Sequence, residues 1–152
     1  MEIKENIHIR SIEVNTEWKK KVQTEHFVRG FQFLIDEPHK LGGDNEAPTP
    51  LEYVLGSFNG CVLVVIDLAA KELGFQYDNI EITSHALIDR RGLAGTADVS
   101  PYYQSVENKI VFYTSESDER LQELKEIVIK RCPLYNLLKN AGVAIHLDWT
   151  IQ

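Results

Sequence analysis

The sequence predicts an α+β fold in which an antiparallel sheet packs on one long central helix. Three observations predict it: a capped apolar helix over 49–74, period-two strand patterns on both sides of that helix, and a switch to helical periodicity between 117 and 141. At 152 residues the chain is expected to form a single domain, 1–152, with no linker, repeat or low-complexity tract dividing it. A chain of this length can bury roughly 70% of the surface its unfolded form exposes, so it needs no staple to fold.

The long helix carries the plainest signals. Thr49 and Glu52 form a T-x-x-E capping box, Pro50 occupies the first helical position, and Gly74 supplies the stop. Between them the residues are apolar or small on nearly every face, which predicts a helix surrounded by protein. Cys61 sits at its middle, on a face shared with Val54, Ser57, Phe58, Val64, Val65 and Leu68.

Before the helix, 7–14 places Ile7, Ile9, Ile12 and Val14 in imperfect alternation and predicts a strand with a bulge. A short strand over 20–24 and a better one over 27–35 follow. In the latter Arg29 falls in register with Phe27, Phe31, Phe33 and Ile35, so its guanidinium either snorkels past the sheet edge or pairs with a carboxylate or ligand. Residues 36–48 are dense in Gly, Pro, Asp and Asn and predict a loop. Gly42-Gly43 lacks the lysine and Ser/Thr of a phosphate-binding loop, so turn chemistry explains it better.

After the helix, 80–88 alternates as a strand ended by Asp89-Arg90-Arg91-Gly92, and a further strand runs over 106–114. Ser117 caps an amphipathic helix that reaches Cys132, and Pro133 starts a short helix over 134–141. Cys132 therefore lies at a helix N-cap, where the dipole, helped by Lys130 and Arg131, is expected to favour thiolate. Residues 143–151 alternate and close the chain as a strand.

Charge narrows the partners. Sixteen basic against 23 acidic residues give a formal net charge of −7, which argues against nucleic acid or an anionic membrane. No run of about 18 apolar residues suggests a membrane span, and MEIKENIHIR lacks the apolar core of a signal peptide, so the expected compartment is cytoplasmic. Two cysteines in such a compartment do not form a structural disulfide framework. Neither belongs to a C-x-x-C pair, and His8, His26, His39, His85 and His146 have no ligand spacing, so neither a metal nor a cofactor is expected.

The residues leave two readings of the thiols open. Both could be small buried hydrophobes. Alternatively they form a redox pair in which one thiolate attacks a peroxide O–O bond and the resulting sulfenic acid condenses with the other thiol. A papain-like nucleophile is disfavoured, because no histidine can be assigned to either cysteine.

The run GGDNEAPTPLEYVLGSFNGC, with a later helix ending in Arg131-Cys132-Pro133, resembles the OsmC/Ohr family of osmotically induced and organic-hydroperoxide-resistance proteins. The resemblance covers essentially the whole chain and is strongest to the OsmC-like branch with P-[ST]-P-[LM]-E. It implies an intertwined homodimer and a thiol peroxidase for small organic hydroperoxides, with Cys61 as peroxidatic and Cys132 as resolving cysteine and an external dithiol as reductant. In that reading an apolar pocket around Val54, Phe58, Leu134 and Tyr135 is expected to favour alkyl or lipid peroxides over hydrogen peroxide. The hydroperoxidase branch has a glutamate ten residues before the first cysteine, where this chain has Leu51; Glu52 is one position off. Arg29 and Arg10 are the two candidates for the family's activating arginine. The alternative function is a non-catalytic OsmC-like protein that binds a small apolar or thiol-reactive ligand.

Overall fold

The computed structural model describes residues 8–152 and divides after Tyr53 into two compact units. In the first, β1 (Asn15–Lys20), β2 (Gln23–Val28) and β3 (Phe31–Ile35) form an antiparallel sheet in chain order. Three expectations are corrected here. Ile7 lies outside the described residues, and 8–14 forms no strand: its apolar residues slip from odd to even positions after Ile9, so one strand face could not carry them. The strand expected over 20–24 is instead broken by a turn: Lys20 ends β1, Lys21 and Val22 turn, with Lys21 at φ 49 and the Trp18 indole N–H donating to the Lys21 carbonyl at 2.8 Å, and Gln23 and Thr24 begin β2.

The strand expected over 27–35 is really two. Arg29 and Gly30, at φ 51 and 87, make a two-residue hairpin turn that pairs Val28 with Phe31. Positive φ at both positions matches the right-handed twist of the flanking strands.

The loop that follows is ordered from inside. The Asp36 side chain, 1% exposed, accepts from the backbone N–H groups of Glu37, Asp44 and Glu46 and from the Gln23 amide. Around it Lys20 bridges Asp44 and Glu46, and Lys21 pairs with Asp44.

The helix α1 (Pro50–Leu73) starts in the first unit and continues into the second. Its capping box is formed: Thr49 N–H donates to the Glu52 carboxylate at 2.8 Å and Glu52 N–H to the Thr49 hydroxyl at 3.3 Å. In the second unit β4 (Asn79–Ile88), β5 (Tyr103–Tyr113) and β6 (Ala144–Ile151) form a sheet with β5 in the centre. A short α2 (Arg90–Ala94), capped by Asp89, joins the first pair. The chain crosses from β5 to β6 through α3 (Asp118–Arg131) and α4 (Pro133–Asn140). That crossover makes β6 parallel to β5, so this sheet is mixed, not antiparallel throughout.

The core of the second unit combines Phe58, Val62 and Ile66 of α1, Val106 and Ile110 of β5, and Leu124 of α3, all at most 2% exposed. One polar cluster lies within it. Ser84 of β4 donates to the Asn59 side-chain oxygen at 2.6 Å, and Asn108 of β5 donates to Ser84 at 2.9 Å, which ties α1 to the sheet at a fixed register. Contrary to the all-round burial expected, α1 leaves apolar side chains open: Val54, Val64 and Leu68 on the face of Cys61, and Leu63 apart from them beyond the Asp67–Lys71 ion pair. By length and hydropathy alone α1 could also cross a membrane, but it is the core helix of this unit.

Candidate active site: a thiol pair

Cys61 lies at the centre of α1 and Cys132 at the joint between α3 and α4, as C-cap of one helix and N-cap of the other. Proline causes the joint. It disfavours helical geometry at the residue before it, and Cys132 is accordingly extended at φ −69, ψ 115. The Cys132 N–H still closes α3 onto the Val128 carbonyl at 2.8 Å, while its Sγ accepts from the Tyr135 N–H at 3.5 Å.

The fold brings the two sulfurs together. Cys132 Sγ–H donates to Cys61 Sγ at 3.6 Å, and neither cysteine is in a disulfide. Disulfide sulfurs sit about 2.05 Å apart, so closing this pair needs an approach of roughly 1.5 Å. The two differ in setting: Cys132 is fully buried, whereas Cys61 is half-buried.

That burial reverses the expectation of a Cys132 thiolate. Desolvation pushes its thiol up to about 11; the Tyr135 N–H pulls the other way without compensating, and the neighbouring Cys61 sulfur adds to the rise. Nor is Arg131 at liberty to help, because its guanidinium is held by Glu72 at 2.7 Å. At neutral pH Cys132 is therefore a protonated donor.

Three further sequence candidates can be placed. Glu52 is committed to the helix cap. Arg29 sits in the β2–β3 turn, not on an apolar strand face, with its guanidinium 5.3 Å from the Phe31 ring centre. Arg10 is exposed in the irregular segment before β1.

Beside Cys132 is a closed-up apolar patch, without room for a water molecule, lined by Val62, Val128, Ile129, Tyr135, Leu147 and Trp149. Of the residues expected around an apolar pocket (Val54, Phe58, Leu134 and Tyr135), only Tyr135 lines it.

Sequence reasoning missed Asn136. Its side-chain amide donates to the carbonyls of Ile129 at 2.9 Å and Cys132 at 2.8 Å, and more weakly to that of Lys130 at 3.4 Å. The signal was present. In an α-helix the Ile129 carbonyl would pair with the N–H four residues on, which is Pro133 and has none.

Comparison with known proteins agrees with this architecture. No curated protein matches. Among solved structures, an OsmC-like protein from Mycoplasma pneumoniae superposes with a TM-score of 0.80 at 16% identity, over 93% of this chain and 97% of that one. An organic hydroperoxide resistance protein OsmC from Legionella pneumophila gives 0.68 at 13%, over 95% and 98%. The organic hydroperoxide resistance protein OhrB of Bacillus subtilis gives 0.60 at 17%, over 92% and 98%. At such identities the likeness is one of fold. The family model for OsmC-like protein, however, matches residues 43–148, which takes in α1, most of the mixed sheet and both cysteines, and on that match the chain belongs to the OsmC-like family.

Proposed function

We propose that this protein is a cytoplasmic thiol peroxidase that reduces small organic hydroperoxides, with Cys61 as the attacking and Cys132 as the resolving cysteine. The observation that carries the reading is the 3.6 Å approach of an accessible thiol to a buried, protonated one. Cys61 sulfur attacks the O–O bond: a sulfur–oxygen bond forms, the O–O bond breaks, and the alcohol leaves with a proton. Cys132 then attacks the sulfenic sulfur. The S–S bond forms, the S–O bond breaks, and the Cys132 proton leaves with the hydroxyl as water. An external dithiol returns the disulfide to two thiols.

The apolar character of the side chains around Cys132 supports an alkyl substrate over hydrogen peroxide. Leu51 and the capped Glu52 favour a second reading, in which the chain binds a small apolar or thiol-reactive ligand without turnover. The reading includes a homodimer, for which the exposed apolar side chains of α1 are the support.

Mixing reduced protein with cumene hydroperoxide in a stopped-flow instrument separates the two functions. The peroxidase consumes one equivalent quickly and links Cys61 to Cys132, and Cys61→Ser abolishes that burst. Should Cys61→Ser consume peroxide as fast as the parent protein, the enzyme reading is wrong.

A further inference from the structure

We propose that Asn136 is a positioning residue for the thiol pair: its side-chain amide takes the place of the N–H that Pro133 lacks and so holds Cys132 Sγ in line with Cys61. The inference rests on the redox reading of the pair, but its geometry is separate from that reading. Pro133 frees Cys132 to leave helical geometry, and the same substitution leaves the α3 terminus short of a donor. Asn136, one turn into α4, reaches back over the joint. Its Nδ2 donates to Ile129 O at 2.9 Å on the α3 side and to Cys132 O at 2.8 Å on the joint itself, while its own backbone N–H also donates to Cys132 O at 3.1 Å.

The Cys132 peptide is thus gripped by one residue through two donors. Both contacts are to carbonyls near the joint, so Asn136 sets the backbone from which Cys132 Sγ covers the distance from 3.6 Å to bonding. The Cys132 side chain has few rotamers, and its Sγ direction follows the backbone; a loosened joint would spread Sγ over positions from which Cys61 is out of line. Misplacement by about 1 Å can cost up to a hundredfold in a step that depends on alignment.

Closure of the pair can be followed without any peroxide. The Cys61 sulfur attacks oxidised glutathione: the Cys61–glutathione bond forms, the glutathione S–S bond breaks, and one glutathione leaves with the Cys61 proton. Cys132 then attacks the Cys61 sulfur, the Cys61–Cys132 bond forms, the bond to glutathione breaks, and glutathione leaves with the proton. Asn136→Asp keeps the shape and loses the donors; Asn136→Ala loses both; Asn136→Gln keeps the amide. All are measured at a temperature where circular dichroism finds each variant folded. Closure about tenfold slower in Asn136→Asp and Asn136→Ala, with partial recovery in Asn136→Gln, is the expected result.

Closure at the parent rate in both donor-less variants overturns the proposal, whatever the peroxide activity. So does equal slowing in all three, which would mark a packing role. A parent protein that closes with glutathione but does not consume cumene hydroperoxide would sink the peroxidase reading and leave the assignment of Asn136 standing.

Discussion

Cys132 makes the alkaline behaviour of the protein predictable. Its folded value, about 11, lies above the roughly 8.5 of a thiol in an unfolded chain, so the folded state holds this proton longer than the unfolded one. The associated stability is fully present below about pH 8.5 and is lost as pH rises towards 11. Urea midpoints measured at pH 8 and at pH 10.5 should fall further in the parent protein than in Cys132→Ala. For the same reason iodoacetamide should label Cys132 in Cys61→Ser only at strongly alkaline pH; ready labelling at pH 8 would contradict the buried, protonated thiol.

Gly43 is the other residue whose role is decided by contact. A Cβ there would sit 1.8 Å from the Glu37 carbonyl oxygen and 2.7 Å from the Asp36 carboxylate, both part of the loop's internal framework. Gly43→Ala should therefore lower stability by about 2–4 kcal/mol, read as a shift of the thermal midpoint. Gly42 closes a short helical turn at φ 87, as the turn chemistry expected at Gly42-Gly43 implies, but the sequence could not foresee this close approach at Gly43. Asn136 is signalled only indirectly, by the Ile129 carbonyl that Pro133 leaves without its helical partner; nothing in the sequence says which side chain supplies the donor. That Cys61 and Cys132 meet was one of two readings the residues left open, and the resemblance favoured it; nothing in the spacing of the two cysteines dictates a contact.

Elements with a start signal, a period and a stop were the legible ones. α1, α3 and α4 lie within one residue of their expected bounds because Thr49, Ser117 and Pro133 announce them, and β4 and β6 because their alternation is unbroken. The first sheet was misread where turns are made by residues other than glycine: Lys21 and Arg29 take positive φ without advertising it. Strand direction was not legible at all, since alternation is the same in parallel and antiparallel pairs, and only the α3–α4 crossover sets β6 alongside β5.

The cap of α1 gives this scale its test. Thr49→Ala removes the acceptor for Glu52 N–H and should cost about 1 kcal/mol, whereas Glu52→Gln, which can still accept from Thr49 N–H, should be nearly neutral in denaturant unfolding. If the Glu52 carboxylate serves only this cap, Glu52→Gln also leaves the cumene hydroperoxide burst within about twofold of the parent rate; loss of the burst would make Glu52 part of the chemistry.

At the scale of the whole molecule, the exposed apolar side chains of α1 are the feature that a lone chain leaves unresolved. Val64 is 60% exposed, Leu68 47% and Leu63 41%, on a helix whose other side is core. Gly56 and Gly60 lie on the same stretch with no atom within 4 Å of where a Cβ would point, so a second helix could approach the backbone closely there. Exposed apolar side chains gathered along one helix mark an interaction surface, and a second copy of the chain is the occupant that the family's implied homodimer supplies. In a two-fold dimer the same patch meets itself, so a residue near the axis faces its own counterpart. Val64→Glu would then bring two carboxylates together in an apolar interface, and Val64→Lys two ammonium groups. Each variant alone should sediment as a monomer where the parent protein sediments as a dimer. Mixed in equal amounts, the two should recover the dimer through opposite charges. A monomeric parent protein would remove the dimer from the reading, and failure of the mixture to reassociate would place the axis away from Val64.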